Sequence, residues 1–167
     1  MSHPHPDSDR RAVRCGVMTV SDTRSPETDK SGQLIKTLLA EAGHGLCHYE
    51  VVRDEPDDIA QLVKRLAAEG DIEALLINGG TGITQRDNTY DVLERILDKI
   101  LPGFGEIFRQ LSYEEIGSRA IASRAVAGTC DSLILFSMPG SRGAVKLAME
   151  KLILPELRHL VQQLQQK

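Results

Sequence analysis

The regular alternation of short apolar runs with amphipathic helical stripes restricts the fold of this chain more than any other feature. Residues 13–20 form a largely apolar run rich in β-branched side chains, ended by the polar turn Ser21-Asp22-Thr23-Arg24-Ser25-Pro26. Leu34, Ile35, Leu38, Leu39 and Ala42 then recur at helical spacing, and Gly43 stands where that helix must stop. Residues 46–52 read as a second strand. Asp57 or Asp58 is expected to cap the next helix, whose buried stripe is Ile59, Leu62, Val63, Leu66 and Ala67. The run 74–77 is wholly apolar and leads straight into Asn78-Gly79-Gly80-Thr81-Gly82. Strand and helix therefore alternate three times, the pattern of a mostly parallel sheet covered by helices on both faces. In such sheets the ligand crevice lies beyond the carboxyl ends of the strands.

Further along, Val92, Leu93, Ile96, Leu97, Ile100 and Leu101 predict one helical stripe ended by Pro102-Gly103, and residues 106–116 a second helix. Strands are expected over 123–127 and 133–136, followed by a break at Met138-Pro139-Gly140-Ser141 and a final helical region that Pro155 should kink or divide. A chain of 167 residues suits one domain, here 12–167, preceded by a disordered tail over 1–11 in which His3 and His5 offer at most incidental metal contacts. Acidic residues outnumber basic ones 24 to 20, for a net charge of −4, with no basic stripe. That balance argues against a nucleic-acid partner. No apolar run approaches the ~20 residues of a membrane span. Cys15, Cys47 and Cys130 are isolated, the usage of a reducing, cytoplasmic compartment. His44, His48 and His159 lack metal-ligand spacing.

Four segments leave strands at the same predicted edge: 21–25, 53–55, 78–87 and 138–141. Gly79-Gly80-Thr81-Gly82 matches neither GxGxxG nor GxxxxGK[ST], yet glycines let backbone N–H groups approach an anion without any lysine. The plain alternative is a tight strand-to-helix turn. Asp87 follows on the same loop and reads either as an N-cap or as a functional carboxylate, and Asp54 either as a solvated loop acid or as its companion. Two carboxylates beside a phosphate cradle are what a hydrated Mg²⁺ needs. Pro139-Gly140-Ser141 is a second candidate phosphate turn or an ordinary N-cap. Phe104, in Gly103-Phe104-Gly105-Glu106, either stacks on a ring ligand or packs the turn, and Glu106 either caps donors or contacts a polar ligand edge. Arg124, after Ser123, is a candidate charge partner for phosphate or a solvated arginine.

These motifs together resemble the MoaB/MogA family of molybdenum-cofactor biosynthesis proteins, which is similar to the gephyrin G domain. The resemblance spans about residues 13–160 and rests on Thr19-Val20-Ser21-Asp22 with Asp29, Ser31 and Gly32, then Asn78-Gly79-Gly80-Thr81-Gly82 with Arg86-Asp87. Leu101-Pro102-Gly103-Phe104-Gly105-Glu106, Ser123-Arg124-Ala125 and Met138-Pro139-Gly140-Ser141 complete it, and Leu111-Ser112-Tyr113-Glu114-Glu115-Ile116-Gly117 looks closer to MoaB. The PGS turn often continues with Pro and Lys in the family, where Arg142 and Gly143 stand here. The resemblance implies a three-layer α/β/α fold around a mixed, mostly parallel sheet and a homo-oligomer, trimer or hexamer. It also implies Mg²⁺- and ATP-dependent adenylylation of molybdopterin, with other enzymes of the same pathway as possible partners. Asp54 and Asp87 become the essential, metal-holding carboxylates. Ser21, Asp22, Gly79, Gly80, Thr81, Gly82, Gly103, Phe104, Glu106, Ser123, Arg124, Pro139, Gly140 and Ser141 become the substrate-binding set. The alternative function is a non-catalytic carrier of molybdopterin or of the finished cofactor.

Overall fold

The computed structural model describes residues 10–166, so His3, His5 and most of the expected tail lie outside the described residues. The alternation is realised by β1 (Arg14–Val20), α1 (Lys30–Glu41), β2 (Gly45–Val52), α2 (Pro56–Glu69), β3 (Ala74–Asn78) and α3 (Thr89–Ile96). Then come β4 (Lys99–Ile100), α4 (Pro102–Ile116), a 3₁₀ turn (Gly117–Ala122), β5 (Val126–Cys130) and β6 (Leu133–Met138). The chain ends with α5 (Arg142–Ala148), a π-turn (Met149–Ile153) and α6 (Leu154–Gln165).

The strands lie in the order β2-β1-β3-β6-β5-β4. Pairs β1/β2, β1/β3 and β3/β6 are parallel, whereas β5 runs antiparallel to both its neighbours, which makes the sheet mixed. Every residue of β3 and β6 is buried, as expected for strands covered on both faces. One core layer sets Val17, Leu76, Ile134 and Phe136 against Ile35, Leu39, Phe108, Met149 and Leu157. The opposite layer sets Met18, Leu75, Ile77 and Leu135 against Ile59, Val63, Leu66, Val92 and Leu93. Helices α1, α4, α5 and α6 thus cover one face, and α2 and α3 the other.

Four local expectations are corrected. The stripe from Val92 to Leu101 is not one helix: α3 ends at Ile96, and Lys99–Ile100 pairs as an edge strand with Thr129 and Gly128. Leu97 packs with the α2/α3 layer and Leu101 with the opposite one, so the helical spacing of these residues joined two faces that the sheet separates. The strand expected over 123–127 begins at Val126, because Ser123 N–H closes the preceding 3₁₀ turn on Ala120 and pairing with β6 starts at Val126 opposite Ser137. Helix α4 starts at Pro102, making Pro102-Gly103-Phe104-Gly105 its first turn. Helix α2 is capped at Glu55 without a side-chain bond, and Asp57 and Asp58 lie in its first turn, where they favour the helix dipole. Pro155 does divide the last helical region: it occupies the first turn of α6, where its missing N–H is harmless, directly after the π-turn.

Candidate functional site

The chain leaves β1 toward β2 on one side and returns to β3 on the other, so the switch point of the sheet lies between β1 and β3. A crevice there is built into the topology. Gly79 opens it with φ +97, and a side-chain carbon on it would run into the Val20 carbonyl oxygen. Gly80 is also left-handed, at φ +67; a Cβ there would meet Thr89 Oγ1 and lie 2.8 Å from Asp54 Oδ2. A Cβ on Gly82 would lie 2.6 Å from Asp87 Oδ2. Only glycines let this loop turn and still press against both carboxylates.

Asp54 is 6% exposed, and its Oδ1 accepts from Asn88 N–H at 3.0 Å. Burial pushes its carboxyl above the usual range, the Asn88 bonds pull it back in part, and the charges of Asp87 and Asp22 push it further up. Asp87 is not the N-cap of α3. That position belongs to Asn88, while Asp87 Oδ2 accepts from Thr84 N–H at 2.9 Å and Thr84 Oγ1 at 2.6 Å, closing the loop on itself. Among the described residues no set of three or more His, Cys, Asp or Glu is arranged to hold a metal ion. Asp54 and Asp87 offer two carboxylates beside the glycine loop, a set that would fit an ion such as Mg²⁺ that keeps water and ligand oxygens in its shell.

Two arginines brace the rim. Arg86 donates to Asp22 through Nε at 3.1 Å and Nη2 at 2.9 Å, and to Glu55 at 2.9 Å. These bonds hold the Asp22 carboxyl below its usual range, and the oxygen left over accepts Asp54 N–H at 3.1 Å. Asp22 therefore carries Asp54 and does not line the cleft. Arg124 donates to Gly82 O at 2.9 Å and Asp87 O at 3.1 Å, and forks onto both Asp91 oxygens at 3.0 and 3.1 Å. With its charge paired to Asp91, it braces the glycine loop from behind.

A cleft of about 520 Å³ joins Ser21, Gly79 to Gly82, Asp87, Ser123 and Pro139 to Ser141 along one rim. Phe108 and Ile116 form an apolar wall, and Arg24 and Arg119 reach the same space. Ser21 Oγ accepts from Thr23 and Arg24 N–H at 3.2 and 3.0 Å, and Ser141 Oγ caps α5 through Ala144 N–H at 3.2 Å. Ser123 Oγ is buried and has no partner among the described residues. The PGFGE segment is not in this cleft. Phe104 packs against Phe108 and Phe136 at ring distances of 6.4 and 5.5 Å, so its ring is built into the core. Gly103 borders an apolar groove beside α6, and Glu106 a separate cavity reached by Arg124.

Sequence reasoning missed Arg24, Arg119 and a buried polar cluster beneath the crevice. Asp29, fully buried, accepts from Thr19 Oγ1 and the Tyr49 hydroxyl, both at 2.6 Å, and from Gly32 N–H at 2.9 Å. Asn78 donates to Thr19 Oγ1 at 2.8 Å. Burial, and then the Asp29 bond, push the Tyr49 hydroxyl well above its usual range. The cluster ties the ends of β1 and β3 and the middle of β2 to the start of α1. Asp29 carries the one local signal: a helix-capping acid three residues before Gly32.

The arrangement is that of an open α/β protein with a glycine-lined crevice at the switch point of its sheet. A family described as probable molybdopterin binding domain matches residues 16–159, and the chain belongs to it. It is 55% identical over 153 residues to the molybdenum cofactor biosynthesis protein B of Bacillus subtilis, covering 91% of this chain and 90% of that protein. The protein of the same name from Halalkalibacterium halodurans is 53% identical over 155 residues, with coverage of 92% and 91%. A crystal structure of a molybdenum cofactor biosynthesis protein B superposes with TM-score 0.92 at 52% identity, over 95% of this chain and 99% of that one. The tungsten cofactor synthesizing protein MoaB from Pyrococcus furiosus superposes with TM-score 0.83 at 34% identity, over 93% and 99%. Among the described residues, no helix is long and apolar enough to cross a membrane.

Proposed function

We propose that this protein binds Mg-ATP and molybdopterin at the crevice and transfers AMP to the terminal phosphate of the pterin. The observation that carries the reading is the meeting of Asp54 and Asp87 with the glycine loop at one rim. The family description supports the pterin as ligand, and the relatives' names support a place in cofactor biosynthesis.

An oxygen of the pterin phosphate forms a bond to the α-phosphorus of ATP. The bond from that phosphorus to the bridging oxygen breaks, and its electron pair leaves with pyrophosphate. The attacking phosphate is already ionised near neutral pH, so the step needs positioning and charge neutralisation more than proton transfer. Two polyanions in a partly dry site repel strongly unless compensated. Mg²⁺ held by Asp54 and Asp87 supplies part of that compensation when bound. Backbone N–H groups of Gly80 to Gly82 orient non-bridging oxygens, and the unpartnered Ser123 hydroxyl offers a further donor. Phe108 and Ile116 give the cleft an apolar wall against which the pterin can lie.

The test is pyrophosphate release from Mg-ATP with and without molybdopterin. Release that depends on the pterin and disappears in Asp87→Ala supports transfer, with Asp87→Ala expected to fold normally. Tight pterin binding without release makes the protein a carrier. The same proposal includes a homo-oligomer, supported by Ile107, Tyr113, Ile116 and Ile121, which are exposed on α4 and the following turn. A monomeric mass in solution by light scattering would remove that part.

A further inference from the structure

We propose that Arg24 is the cation that receives a phosphoryl group in this cleft, opposite the glycine loop. The inference rests on the reading that the cleft takes phosphorylated ligands, and it adds a binding residue to it.

Arg24 and Arg119 both reach the cleft, and Arg24 is the one that stands against the entrance of the glycine loop. Arg86 is engaged by Asp22 and Glu55, and Arg124 by Asp91 and two loop carbonyls. Arg24 makes one side-chain hydrogen bond among the described residues, from Nη2 to Gly140 O at 3.2 Å. Its nearest carboxylate oxygen is Asp29 Oδ1 at 3.9 Å from Nη1, too long for a hydrogen bond. Asp29 already accepts from Thr19, Tyr49 and Gly32, so it attracts the guanidinium without occupying its donors. Nε and Nη1 remain free to donate to a ligand.

The backbone and the turn opposite fix where those donors lie. Ser21 Oγ accepts Arg24 N–H at 3.0 Å, and Ser31 Oγ donates to the same Gly140 carbonyl at 2.7 Å, so the arginine is tied to a fixed turn. The point that a Cβ on Gly140 would occupy lies 3.5 Å from Arg24 Nη1 and 3.5 Å from Gly79 N. The guanidinium therefore faces the entrance of the glycine loop across a gap about one group wide. Asp54 stands against Gly80 and Asp87 against Gly82, further along that loop, and both repel an anion unless a cation is bound there. A phosphoryl group is thus drawn to the Arg24 end, where a planar donor fork matches its oxygens.

Phosphoryl oxygens at this point come either from the phosphomonoester of the pterin or from the polyphosphate of the nucleotide. The experiment measures binding of molybdopterin, of dephosphorylated pterin and of Mg-ATP to the full chain by calorimetry, for wild type, Arg24→Gln and Arg24→Lys. Arg24→Gln should weaken one phosphorylated ligand about 10- to 100-fold, and Arg24→Lys should restore part of the loss. Dephosphorylated pterin should bind equally to all three. Loss confined to molybdopterin assigns the pterin phosphate, and loss confined to Mg-ATP assigns the polyphosphate. Unchanged affinity for both in a folded Arg24→Gln overturns the proposal, as does failure of wild type to bind either ligand. If Arg24→Gln does not fold, phenylglyoxal labelling of wild type read by mass spectrometry decides: the phosphorylated ligand must protect Arg24 and leave Arg65, on the outer face, reactive. Binding that depends on Arg24 without pyrophosphate release leaves this inference standing and removes only the catalytic reading.

Discussion

Asp54 and Glu73 are both buried carboxylates, 6% and 4% exposed, set at opposite ends of the parallel strands. Glu73, just ahead of β3, accepts from Arg11 at 2.7 Å, Arg14 N–H at 3.0 Å and Gln165 at 2.7 Å. Burial alone would push its carboxyl up, but these donors bring it below its usual range. Asp54, just after β2, meets burial with one bonded side-chain oxygen and two acidic neighbours, and its carboxyl rises. Glu73 is satisfied by its own chain, and it ties the N-terminal segment and α6 to the sheet. Asp54 is left short of positive charge at the carboxyl edge of the sheet, against Gly80. A buried group that the fold does not compensate is where an outside cation has most to offer.

The contrast breaks most visibly in catalysis. Asp87→Asn keeps the shape and the acceptor for Thr84. It should nevertheless lower pyrophosphate release about 10²–10³-fold, the usual loss when one charge-stabilising group is removed from such a site. Wild-type turnover in this variant would detach the rim from the chemistry. Glu73→Gln should do the reverse. Loss of a pair whose arginine partners are half exposed costs about 2 kcal/mol, less than the roughly 3–5 kcal/mol of a fully buried pair. At this length that lowers Tm by about 4–8 °C, read by calorimetry, with turnover at 25 °C unchanged. If Glu73→Gln instead abolished turnover in a folded protein, the division between a structural and a functional end would be wrong.

A smaller effect sharpens the same division. Asp54→Asn removes a carboxylate held under repulsion from Asp87 and Asp22. In Mg²⁺-free buffer the variant should melt about 2–4 °C above wild type, a gain of about 1 kcal/mol, while losing activity. Mg-ATP should raise Tm of wild type and leave the variant where it was, because only a ligand bound by the native state shifts the equilibrium. A variant less stable than wild type would mean that Asp54 is a structural acid like Glu73.

The sequence carried the local features well and the long-range partners poorly. The strand ends, the crevice edge, the glycine loop and both rim acids were legible because period, breaker residues and glycine act over a few positions. The same local view misled at Val92 to Leu101, where helical spacing ran on across a chain reversal into β4. It left Phe104 open between core and ligand, since no spacing rule distinguishes a ring facing Phe136 from one facing a ligand. Arg124 and Arg24 were indistinguishable as letters. What separates them is that Asp91, on α3, lies within reach of the first, while the second finds only a carbonyl and an occupied acid. Those partners lie 33 and 116 residues away.

The smallest expected effect is the acid dependence of the two stability differences. Glu73 holds its proton less tightly folded than unfolded, so its stabilisation is in place above about pH 4 and is lost as pH falls through its lowered value. Asp54 holds its proton more tightly folded than unfolded, so its ionisation weakens the fold progressively as pH rises from about 4 through its raised value. The Tm gap between Glu73→Gln and wild type is negative at pH 7, and the gap for Asp54→Asn is positive there. Both should shrink on acidification in Mg²⁺-free buffer. The Asp54 gap should close first, because its carboxyl takes up a proton at the higher pH. His44, whose imidazole is pushed down by burial and then by Arg158, titrates alike in all three chains and cancels from both differences. An Asp54→Asn gap that widened between pH 7 and pH 5 would mean that the folded rim stabilises the ionised carboxylate, and the Asp54–Glu73 contrast would collapse.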